Sequence, residues 1–207
     1  MNGLFVAVEG PTGAGKTTLA LGLAPALGAE AVLDPFDANP FLPELAGTPA
    51  PGPGLALRTE LTFVALRIAQ LREIAALRAA GRDVVTDWAM FKQPIFAAGT
   101  LAAADMPRLA STLAIWEDTL PAPDALIALS TDAATLHRRV RLRGRDIETG
   151  LTTGQLAVLA AAFDALSVHW RGPLIRVDAA SFDAFDPRQV ASLAQQVRQL
   201  LVPAASP

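Results

Sequence analysis

Eight residues near the start of this 207-residue chain, Gly10-Pro11-Thr12-Gly13-Ala14-Gly15-Lys16-Thr17, carry the spacing G-x-x-x-x-G-K-T. Glycines at these positions let the backbone curl so that its N–H groups face inward, which suits a polyphosphate. Lys16 is spaced to reach the β- and γ-phosphates, and the Thr17 hydroxyl to take a position on Mg²⁺. Thr18 follows as the next polar residue of the loop-to-helix junction. The run predicts binding of a nucleoside triphosphate.

Four further clusters carry chemistry. In Asp34-Pro35-Phe36-Asp37-Ala38-Asn39-Pro40-Phe41-Leu42, Asp34 can face a γ-phosphate and act as base toward an acceptor hydroxyl, or it can cap the turn before proline. Glu60, Phe63 and Arg67 fall at i, i+3 and i+7 and so share a helix face. Two polar residues flanking an aromatic suit a planar base, and an ordinary amphipathic helix with solvated charges fits equally. Asp87, in Asp87-Trp88-Ala89-Met90-Phe91-Lys92, is either a second metal-facing group beside Thr17 or a structural cap. Arg138, Arg139, Arg141, Arg143 and Arg145 crowd into eight residues with few carboxylates nearby. That density suits a lid that neutralises charge on a transferring phosphate.

The elements that must position these groups follow from hydropathy. The apolar run Leu4–Val8 precedes the glycine-rich loop, and four more runs read as strands: Ala31–Leu33, Val84–Thr86, Ala125–Leu129 and Leu174–Val177. Amphipathic stretches separate them, chiefly Arg58–Ala80, Met106–Leu120, Asp132–Leu142, Thr152–Trp170 and Pro187–Leu201. Alternating strands and helices predict an α/β three-layer fold, a five-stranded parallel sheet covered on both faces. Ligands of such sheets sit at the carboxyl ends of the strands. Glu9, Asp34 and Asp87 each stand just past a run, so all three are expected near the loop. Gly47–Gly54, rich in proline and glycine, reads as a surface loop, and Pro203–Pro207 as a frayed tail.

Composition narrows the field. A hydrophobic fraction of 52% with 18% charged residues is that of a globular chain, expected here as a single domain over 1–207. With no cysteine and two histidines there are no disulfides, thiolate zinc sites or histidine metal clusters to consider. A net charge of −3 argues against a nucleic-acid partner. The absence of a long apolar run or basic leader argues for a cytoplasmic protein without membrane contact. Arginine outnumbers lysine fifteen to two, and the two lysines are Lys16 and Lys92.

Taken in order, these segments resemble the deoxynucleoside kinase family, and its bacterial deoxyadenosine/deoxyguanosine kinase branch in particular. Glu9–Thr17 looks like the family's E-G-x-x-G-x-G-K-[ST], Asp37–Leu42 its D-x-N-P-F-L, and Glu60–Arg67 its Q-x-x-F-L-x-x-R. Asp87–Lys92 with Phe96-Ala97 is similar to D-Y-x-F-x-K-x-x-x-F-A, and Arg139–Glu148 to the lid R-x-x-x-R-G-R-x-x-E, a lid of about residues 138–149. The resemblance implies a P-loop kinase that moves the ATP γ-phosphoryl to the 5′-hydroxyl of a deoxynucleoside. It gives Lys16 and its loop the ATP phosphates, Thr17 and Asp87 the Mg²⁺, and Asp34 the place of the proton-accepting glutamate. Glu60 and Arg67 address the nucleobase with Phe63 and Trp88 as walls; Arg139, Arg143 and Arg145 are the lid cations; Glu148 holds the sugar 3′-hydroxyl; Lys92 acts electrostatically. It also implies a homodimer.

The chain departs from the family pattern at three points. Asp34 is one methylene shorter than the usual Glu, Glu60 replaces Gln, and the tyrosine that helps hold the 3′-hydroxyl has no counterpart in a chain without tyrosine. An ionised Glu60 would be acceptor-only and so match the two donors of guanine, with Arg67 donating to O6. Deoxyguanosine is therefore the expected acceptor, within a purine preference. The competing readings are a thymidylate-type nucleoside monophosphate kinase, whose D-R-[YF] is not matched by Asp87-Trp88-Ala89, and a family member that binds nucleotide without transfer. A GTPase would need N-K-x-D, which is absent.

Overall fold

Alternation along the strands decides which helices cover which face of the sheet. In β1 (Phe5–Glu9), Val6 and Val8 join one core with helices α1 (Lys16–Leu27), α6 (Ala133–Arg143) and α8 (Pro187–Leu201), through Leu19, Leu23, Leu136, Val140, Leu193 and Val197. Phe5 turns the other way to meet Leu71 and Ile74 of α3 (Pro53–Ala79), and Ala7 faces Leu166 and Trp170 at the end of α7 and just beyond it (Thr153–His169). All five residues of β1 are buried, as expected of a central strand with helices on both sides.

The computed structural model describes residues 2–48 and 52–201. Its strands β2 (Glu30–Val32), β3 (Val84–Thr86), β4 (Ala125–Ser130) and β5 (Leu174–Asp178) join β1 in the order β2-β3-β1-β4-β5, every pair parallel. Val6 pairs Val85 on one side and Ala125 on the other. The chain crosses from β1 to β2, returns to β3, and then passes to the far side as β4. The strand order reverses beside β1, and the crevice above that point is where such sheets hold ligands.

All five expected strands form, each within a residue or two of its expected bounds. β1 gains Glu9 because its residue pairs with Ala128 of β4, and β2 sits one residue earlier than expected. The expected helices form too, with α3 starting at Pro53 rather than Arg58 and α5 (Met106–Glu117) stopping short of Leu120. Proline is compatible with a first helical turn, where its missing N–H is not needed. Gly47 closes a short α2 (Leu42–Gly47), so the expected Gly47–Gly54 loop shrinks from both ends. Its residues 49–51, and the tail 203–207, lie outside the described residues. Three 3₁₀ turns (Phe36–Ala38, Met90–Lys92, Asp146–Glu148) and α4 (Gln93–Ala97) complete the elements. No helix among the described residues is long and apolar enough to cross a membrane.

Candidate active site

The loop leaving β1 is shaped by close packing as well as by torsion. Gly13 has φ +88°, and a Cβ there would lie 2.9 Å from the Leu136 carbonyl oxygen and 3.1 Å from Val140 Cγ2 of α6. Gly10 likewise runs against the Leu129 carbonyl of β4. Pro11, Thr12 and Ala14 complete the turn, closed by the Ala14 N–H donating to the Pro11 carbonyl at 3.1 Å. Gly15 precedes α1, whose first turn contains Lys16, Thr17 and Thr18, so the helix N-terminus adds its partial positive charge to the loop.

Lys16 Nζ donates to the carbonyls of Gly10 at 2.8 Å and Pro11 at 3.1 Å, which keeps the ammonium over the loop. Burial lowers its pKa to about 8, the Lys92 charge adds to the fall, and Glu9, Asp87 and Asp34 oppose it. The Thr17 hydroxyl donates to Asp87 Oδ2, and Asp87 Oδ1 accepts the Asp34 N–H at 2.7 Å. One carboxylate thus ties the loop, the end of β3 and the end of β2 together.

Asp34 is the most heavily bonded carboxylate of the cluster. Arg67 approaches it with Nε at 3.1 Å and Nη2 at 3.0 Å, a bidentate fork, and Lys92 Nζ donates to Oδ2. Burial would raise the Asp34 pKa, but Lys92 and Arg67 outweigh it and hold it at about 2. The side chains of Arg67 and Lys92 are only 5% and 3% exposed, so these are desolvated charges and not surface pairs. Glu9 lies beneath them, accepting the Ala89 N–H at 2.6 Å and the Gly10 N–H at 3.3 Å. Burial raises its pKa, against the pull of Lys92 and Lys16.

Arg67 and Glu60, the two residues expected to address the base, both have protein partners in this structure. Arg67 donates to Asp34 and, through Nη1, to the side-chain amide oxygen Oε1 of Gln93, with its guanidinium 4.8 Å from the Phe63 ring centroid. Glu60 is buried, and both its oxygens are occupied: Gln93 Nε2 donates to Oε2 and the Thr100 hydroxyl to Oε1, each at 2.6 Å. Burial raises the Glu60 pKa. A Glu60 with both oxygens engaged does not present the free acceptor pair that guanine would need. The chain Asp34–Arg67–Gln93–Glu60–Thr100 is one continuous polar network.

Trp88, expected as a wall beside the base, is fully buried. It is 0% exposed and belongs to the α3-side core with Phe5, Leu71, Ile74 and Val84. The alternation of β3 carries on past its end, sending Trp88 to the face of Val84 while Asp87 turns to the other. Its ring lies 5.9 Å from the Arg67 guanidinium. Phe63, 9% exposed, sits under the same guanidinium.

The arginine segment splits in two. Arg139 donates to the carbonyls of Ala14 at 3.3 Å and Ala179 at 2.7 Å, which places it against the glycine-rich loop. Arg143 Nε donates to Glu148 Oε2 at 3.1 Å, and Arg145 stands 3.8 Å from Glu148. Glu148 is buried and faces both Arg143 and Arg145.

Sequence reasoning missed Gln93, Thr100 and the ordering part of Asn39. Asn39, 1% exposed, donates to the Thr59 carbonyl at 3.0 Å and accepts the Phe41 N–H, pinning the segment after Asp34 to α3. Gln93 stood next to Lys92 in a recognised motif, but nothing in one sequence marked its partner as Glu60.

The description "Deoxynucleoside kinase" belongs to a family whose model matches residues 6–202. A deoxyguanosine kinase of Bacillus subtilis (strain 168) is 29% identical over 161 residues, covering 77% of this chain and 76% of that protein. Among solved structures, a deoxyadenosine kinase from M. mycoides with the products dCMP and a flexible dCDP bound superposes with a TM-score of 0.77 at 19% identity, covering 95% of this chain and 100% of that one. The same kinase with bound dATP gives a TM-score of 0.74 at 18% identity, covering 94% and 99%. The match over nearly the whole chain places the protein in the deoxynucleoside kinase family, phosphotransferases that use ATP.

Proposed function

We propose that the protein transfers the γ-phosphoryl group of ATP to the 5′-hydroxyl of a purine deoxynucleoside, deoxyguanosine or deoxyadenosine, in nucleotide salvage. The observation that carries this reading is Asp34: a carboxylate at the end of β2, fixed by Arg67 and Lys92 and joined through Asp87 to the phosphate-loop threonine. Gly10 to Thr18 hold the ATP phosphates, with Lys16 neutralising the transferring group.

Asp34 accepts the hydrogen bond of the 5′-hydroxyl. A carboxylate held at a pKa of about 2 is a weak base, so its main work is orientation. That suffices for phosphoryl transfer, where positioning and charge stabilisation dominate and little proton transfer precedes bond cleavage. Lys92 keeps Asp34 ionised and sets the local potential. Arg67 and Phe63 shape the acceptor side, with Glu60 acting on the base side through Gln93 instead of as a free acceptor pair. Arg139, Arg143 and Arg145 form the lid, about residues 138–149 of one catalytic domain, and Glu148 holds the sugar. The purine preference is supported by the names of the relatives, deoxyguanosine kinase and deoxyadenosine kinase.

Mg²⁺ fits the residues present. Thr17 Oγ1 and Asp87 Oδ2 are two hard oxygens in contact, and no group of three or more metal-ligating acids or histidines occurs among the described residues. That matches an ion held chiefly by phosphate oxygens and water. When bound it would neutralise the β- and γ-oxygens. The protein is further proposed to act in the cytoplasm as a homodimer, which light scattering at micromolar concentration checks. Formation of a deoxynucleoside 5′-monophosphate from Mg-ATP tests the function itself. ATP consumption only with monophosphate acceptors would replace it with a monophosphate kinase.

A further inference from the structure

Arg145 leaves α6 one residue past Gly144, whose φ of +64° ends the helix in a left-handed turn. Its guanidinium lies 4.3 Å from the centroid of Phe36, the shortest cation-to-ring separation among the described residues. Phe36 opens the 3₁₀ turn two residues beyond Asp34 and is half-buried, like Arg145. Among the described residues, Arg145 is the one of the five arginines between positions 138 and 145 that stacks on an aromatic ring. The same guanidinium stands 3.8 Å from Glu148, and α2, which follows Phe36, packs against the Asp146–Glu148 turn. The segment carrying Asp34 and the segment carrying Glu148 therefore meet at a single cation–ring stack, backed by helix contact. A cation over a ring face is directional, and more strongly held where water is partly excluded.

We propose that Phe36 is a positioning residue for the transfer reaction. Its ring is the platform on which Arg145 rests, and through Arg145 it sets Glu148 and the lid at a fixed place over the acceptor segment. The link to turnover rests on the kinase reading above; the stack itself does not. An aliphatic side chain at 36 fills the space but offers no negative ring face, whereas tyrosine keeps one.

The test compares Phe36→Leu, Phe36→Tyr, Arg145→Ala and the double variant Phe36→Leu/Arg145→Ala, each first shown to melt cooperatively. Amide hydrogen exchange over residues 144–150 should quicken about five-fold in Phe36→Leu, corresponding to about 1 kcal/mol, and stay within two-fold in Phe36→Tyr. In the Arg145→Ala background, Phe36→Leu should add nothing. With Mg-ATP and deoxyguanosine, kcat/KM should fall by a similar five-fold in Phe36→Leu and recover in Phe36→Tyr. Unchanged exchange in Phe36→Leu overturns the proposal. An equal loss of kcat/KM with and without Arg145 does so too, because the ring would then be a pocket wall. Exchange that responds as expected in a protein without turnover upholds the stack and overturns only the kinase reading.

Discussion

Replacing Asp34 by Asn removes one charge and no volume, and the site makes the consequences calculable. The backbone bond from residue 34 to Asp87 stays, so the link to the phosphate loop survives. What is lost is the counter-charge for Arg67 and Lys92, whose side chains are 5% and 3% exposed. Leaving buried charge unpaired costs about 3–5 kcal/mol, and for a domain of this size that is a fall in Tm of roughly 6–20 °C. Removing Lys92 as well, in Asp34→Asn/Lys92→Met, takes away one of the two stranded cations. The double variant should melt above Asp34→Asn alone. Turnover should fall by about 10²-fold, the scale for losing the orientation of a reacting group. ATP affinity should hold within about three-fold, because Lys16 is bonded to loop carbonyls and not to Asp34. Thermal melts, ATP titration and steady-state rates on the three proteins give all these quantities. An unchanged Tm together with turnover within about three-fold of wild type would refute the reasoning.

Three further outcomes are expected. The depressed Asp34 pKa contributes stability that is present above the unfolded value near 4 and is lost as pH falls through about 2. The stability gap between wild type and Asp34→Asn should therefore narrow by about 2 kcal/mol between pH 5 and pH 2, measured by urea unfolding; a constant gap contradicts it. Lys16, held at about 8, is partly deprotonated near pH 8.5. Polyphosphate at the loop should restore its proton, so calorimetry in buffers of different ionisation enthalpy should show proton uptake on ATP binding there. A buffer-independent enthalpy would rule this out. Trp88→Phe should leave kcat/KM within about three-fold, while lost core volume costs about 1–3 kcal/mol. Among the described residues the indole N–H has no hydrogen-bond partner to lose. A drop in kcat/KM beyond about ten-fold would put Trp88 against the nucleobase after all.

The donor side was legible in the sequence because its constraints are local. The glycines, Lys16 and Thr17 lie within eight consecutive residues, and strand, loop and helix follow one another in the chain. Asp34 and Asp87 were legible as acids at strand ends, since a parallel sheet sends those ends to one edge. The acceptor side depends on pairings across the fold. Arg67 was read as a base contact because its helix face was visible and its partner Asp34, far away in sequence, was not. Glu60 was read as an acceptor facing the base, and its partners Gln93 and Thr100, more than 30 residues on, were not visible. The burial of Trp88 was legible too: alternation through Val84 and Thr86 sends it to the core face, away from Asp87.

The central claim is tested most directly by supplying Mg-ATP with each of the four deoxynucleosides, and with their 5′-monophosphates, and identifying the products. We expect 5′-monophosphates of the purine deoxynucleosides to form fastest and the monophosphates to be left unphosphorylated. ATP binding without any nucleoside product, or diphosphates formed from the monophosphates, would contradict it.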